Sequence, residues 1–116
     1  MNNNFLNLKS KYEKGILNND MKYIYSINNN LKYISIIIYI RVGSKYEKNN
    51  EKGLAHFLEH MLFKSTKKYN TNIKINTRID ELSASINAST SYNYTNYYIT
   101  LPSKYLKEGL ELLNEL

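Results

Sequence analysis

A chain of 116 residues is long enough for one domain that buries roughly 60–70% of its unfolded surface, and too short for two. It holds no cysteine, which excludes disulfides and thiolate ligands, so any metal site must be built from nitrogen and oxygen. Its 14 Lys and 2 Arg against 10 acids give a net charge of +6, but the lysines are scattered and form no RNA-binding pattern with the 12 tyrosines, so a solvated surface outweighs a nucleic-acid-binding module. Residues 1–20 show little periodicity and read as a loosely ordered lead-in; with Glu13 and Asp20 and no apolar run, they do not resemble a signal or transit peptide. Residues 22–27 alternate and are rich in aromatic and β-branched types, which predicts a strand. The Asn28–Asn30 triplet signals a turn, and residues 31–42 predict a second, more buried strand that pairs with the first as a hairpin. The apolar run within it is too short to cross a bilayer, so no membrane partner is expected and the chain reads as soluble and cytoplasmic.

Gly43 and Ser44 end that strand, and Asn49 and Asn50 offer a cap for a following helix. Residues 72–83 read as a second helix. Residues 85–92 predict a half-buried strand, with Ile86, Ala88 and Thr90 on one face and Ser85, Asn87 and Ser89 on the other. A strand over 95–101 follows. Pro102 and Ser103 then open a last helix, with Leu106, Leu110 and Leu113 on one stripe. The order ββ-α-α-ββ-α predicts an α+β fold, a mainly antiparallel sheet with helices packed on one face.

The first of these helices carries the chemistry. His56 and His60, the only histidines, bracket Glu59 in an H-x-x-E-H pattern, a spacing that chance gives in roughly one such chain in a thousand. A helix turns about 100° per residue, so both imidazoles and the carboxylate share one face, while Leu54, Leu58, Met61 and Leu62 gather on the other as the expected buried face. Two imidazoles on one face can hold one zinc ion, which lowers the pKa of a bound water towards about 7. Glu59 is then placed as general base, taking the water's proton and returning it to a leaving amine.

The stretch from Gly43 to Glu47, the run from Lys52 to Lys64 and the segment Ser65–Lys68 resemble the N-terminal domain of M16 metallopeptidases, the zinc proteases of the insulin-degrading, pitrilysin and processing-peptidase kind. Asn87-Ala-Ser-Thr90 and Thr95-Asn-Tyr-Tyr98 are similar to that family's later strands, and the likeness runs from about Leu17 to Leu116. It implies a zinc-dependent endopeptidase acting on peptides or small unfolded proteins, with His56 and His60 as metal ligands. It also implies that Asn87 and Ala88 lie on a strand that pairs with extended substrate; ordinary sheet pairing is the competing reading of those two residues. In the family the third ligand is a glutamate on a later helix, expected beyond Leu116; Glu108, Glu111 and Glu115 do not match it.

Residues 21–116 are thus expected to be a partial M16 domain, truncated inside its last helix. Alone it should be inactive or nearly so, with further M16 domains or a partner subunit needed to close the chamber. The alternative is a non-catalytic structural or peptide-binding subunit, which would have no need to keep His56, Glu59 and His60 together.

Overall fold

The computed structural model describes residues 12–116, which divide into two units at Leu31 and Lys32. In the first, β1 (Tyr12–Ile16) pairs antiparallel with β2 (Lys22–Ser26), so part of the expected lead-in is a strand. The turn between them is tight: Leu17 N–H donates to Met21 C=O at 2.9 Å, Asp20 N–H donates to Leu17 C=O at 2.9 Å, and Asp20 takes the left-handed conformation (φ 63°) that short polar side chains tolerate.

The expected hairpin between β2 and the next strand does not form. β3 (Tyr33–Ile40) instead pairs antiparallel with a distant strand, β5 (Thr95–Pro102), which pairs in turn with β4 (Ser85–Thr90), giving the order β3-β5-β4. Side-chain alternation explains the choice. In this register Ile99 lies opposite Ile36 on one side and Ile86 on the other, one row of the core face, while Ser35 and Thr100 hydroxyls meet at 2.8 Å on the other face. β3 is also less buried than expected, because only Ile34, Ile36 and Ile38 reach the core and Ile37 and Tyr39 are exposed.

Helices α1 (Leu54–Leu62), α2 (Asn72–Glu81) and α3 (Leu106–Glu115) complete the second unit, so the α+β class with an antiparallel sheet holds. The core joins Leu82 at the end of α2 to Tyr97, Ile99 and Leu101 of β5 and to Leu112 and Leu113 of α3. On α3 the buried stripe is Gly109, Leu112 and Leu113; Leu113 is as expected, but Leu106 and Leu110 are exposed. Gly109 sets that rotation, because a Cβ there would stand 2.8 Å from a methyl of Leu101, and only a bare backbone crosses β5 so closely. Among the described residues no helix is long and apolar enough to cross a membrane.

Candidate active site

The sequence divides α1 into two faces as predicted, but the apolar one is not the face that meets the sheet. Leu54, Leu58 and Met61 are about half exposed, and of the four expected core residues only Leu62 packs against the core. The buried residues of the helix are Ala55 and Glu59. The reason is a polar bond across the edge of the sheet: Thr90 Oγ1, at the end of β4, donates to Glu59 Oε2 and draws that face of α1 onto the strand. A buried carboxylate needs such a donor to offset its lost hydration. Nearby, burial first and the Glu59 charge second push the Tyr97 phenol above its ordinary value.

His56 and His60 stay exposed beside this anchored carboxylate, and their Nε2 atoms lie 3.1 Å apart with ring centroids at 4.5 Å. That is within hydrogen-bond reach, with donor and acceptor set by the tautomers of the two rings. Two nitrogens bound to one tetrahedral zinc at about 2.0–2.1 Å would be about 3.3–3.4 Å apart, so the pair fits such an ion after opening by a few tenths of an ångström. Among the described residues no three His, Cys, Asp or Glu side chains are grouped to hold a metal.

The amino end of α1 is held differently from the expectation of an Asn cap. Gly53 is the N-cap, in the left-handed region at φ 89°, and offers no side chain. Glu47 supplies the acceptor instead, taking Gly53 N–H at 2.8 Å and Ala55 N–H at 2.9 Å, and these two donors hold its carboxyl below the ordinary value. Asn87 and Ala88 lie on β4, which is an edge strand among the described residues; Ala88 N–H donates to the Asn87 side-chain oxygen at 2.8 Å. Sequence reasoning missed the roles of Thr90 and Glu47. The signal for Thr90 was its place on the inward-facing side of β4; for Glu47 it was an acid shortly before a glycine that opens an apolar helix.

The sequence profile of the insulinase family (peptidase family M16) matches residues 23–116. The chain belongs to the M16 peptidases. It is 37% identical over 93 residues to the mitochondrial-processing peptidase subunit beta of Rattus norvegicus, covering 80% of this chain and 19% of that protein. It is 35% identical over all 116 residues to a zinc protease of Rickettsia bellii, covering 26% of that protein. A solved protease from Helicobacter pylori superposes with a TM-score of 0.83 at 32% identity, over 91% of this chain and 26% of the other. This M16 chain therefore spans about a fifth to a quarter of the length of these relatives.

Proposed function

We propose that this M16 chain carries the His-Glu-His part of a zinc-dependent endopeptidase site. The observation that carries the reading is the Nε2 pair of His56 and His60, 3.1 Å apart on the same helix as a buried, hydrogen-bonded Glu59. His56 and His60 would hold the metal through neutral Nε2 atoms, and a glutamate elsewhere in a longer protein would complete the set. Zinc, when bound, supplies a Lewis acid that makes water acidic and polarises a carbonyl. Glu59 accepts the proton of the attacking water and returns it to the leaving amine, while the Thr90 hydroxyl fixes the orientation of the carboxylate.

The open edge of β4 suits an extended peptide. A substrate carbonyl can replace the Asn87 side chain as acceptor for Ala88 N–H, which gives affinity through the backbone with little dependence on sequence. Asn87 and Ala88 are accordingly the substrate-binding residues of this proposal. The rat relative is named as a subunit, which supports further domains or a partner subunit closing over the peptide. With two ligands in hand, the segment alone is not expected to turn over.

In a longer protein containing this segment, Glu59→Gln should abolish peptide hydrolysis while zinc, measured by metal analysis, stays bound. Retained turnover would remove Glu59 from its role.

A further inference from the structure

α1 is fastened twice to the same pair of strands. One fastening is the Thr90 to Glu59 bond. The other is a relay that begins at Gly43, a buried glycine on which a Cβ would lie 2.4 Å from Ser91 C=O and 2.8 Å from both Tyr92 C=O and Tyr94 N. Only glycine allows the backbone to press this closely on the turn between β4 and β5. From there Ser44 N–H donates to Ser91 C=O at 3.2 Å and Lys45 N–H to Tyr92 C=O at 2.9 Å, so the loop is bonded to that turn through its main chain. Glu47 ends the relay, with its two oxygens on Gly53 N–H and Ala55 N–H, the residue before His56.

We propose that Glu47 is a positioning residue of the histidine pair: its carboxylate clamps the first turn of α1 to a loop bonded onto the β4–β5 turn, and so sets His56 against His60. The clamp is needed because the helix has no side-chain cap of its own and its apolar face packs little, leaving the amino end to fray. A carboxylate is the fitting acceptor, since two N–H donors at a helix amino end favour negative charge. The proposal rests on the reading of His56 and His60 as metal ligands.

Two measurements on the chain test it: NMR titration of the Gly53 and Ala55 amides against pH, and calorimetric titration with Zn2+ alone. In wild type both amides should shift together as pH falls through the depressed carboxyl value of Glu47, because protonation removes the acceptor charge; in Glu47→Gln that step should vanish. Zinc affinity should fall about tenfold in Glu47→Gln, the scale of losing a residue that orients ligands. Glu47→Asp, which keeps the charge on a shorter arm, should recover part of it. Leu112→Ala, which weakens the core away from the loop, should keep both the pH step and the zinc affinity of the folded chain. Wild-type zinc affinity in Glu47→Gln, with affinity lost in His56→Ala, would overturn the role of Glu47 alone. No zinc binding by wild type, with the pH step present, would overturn the histidine-pair role together with the site reading.

Discussion

Glu59 is the carboxylate buried among the described residues, and it accepts a hydrogen bond from one hydroxyl on a strand 31 residues further along the chain. Removing that hydroxyl leaves a buried charge short of a donor. Thr90→Val should therefore lower the free energy of unfolding by about 1.5–3 kcal/mol in urea denaturation, while Thr90→Ser should stay near wild type. An unchanged Thr90→Val would mean that water or another group serves the carboxylate. The histidine pair was legible in the sequence because i, i+3 and i+4 proximity follows from the helix alone. Thr90 and Glu47 were not, because their partners are fixed by strand order and loop path, which local periodicity does not encode.

At the scale of elements, helices and strands follow the sequence closely, and what fails is the choice of partner or buried face. β3 had its alternation in plain view, yet the nearest turn signal, Asn28–Asn30, suggested pairing with β2, whereas the isoleucine row is completed by β5 and β4. Leu106 and Leu110 fit an apolar stripe as well as Leu112 does, and the deciding residue is Gly109, which carries no hydropathy signal at all. Gly109→Ala tests that argument with two opposed effects. Helix propensity would favour alanine by about 1 kcal/mol, but its Cβ would stand 2.8 and 3.1 Å from the methyls of fully buried Leu101, an overpacking that costs about 1–3 kcal/mol. If the crowding of buried Leu101 outweighs the propensity gain, the variant melts below wild type, as expected here; a higher melting temperature would show that the Leu101 methyls or α3 can yield.

For the molecule as a whole, fold class and family are legible because the H-x-x-E-H motif and the later strand segments stand in the expected order. The apolar residues Leu54, Phe57, Leu58 and Met61 of α1 remain exposed, as does one edge of β4, and the relatives are about four times the length of this chain. Those surfaces explain why the sequence misjudged α1: its apolar face was assigned to a core that the described residues do not build over it. If His56 and His60 form one metal site, binding needs both imidazoles. Calorimetric titration of Zn2+ into the wild-type chain, His56→Ala and His60→Ala should give one ion per wild-type chain and a loss of about tenfold or more in affinity for each variant. Equal binding by all three chains would rule out a site shared by the two histidines.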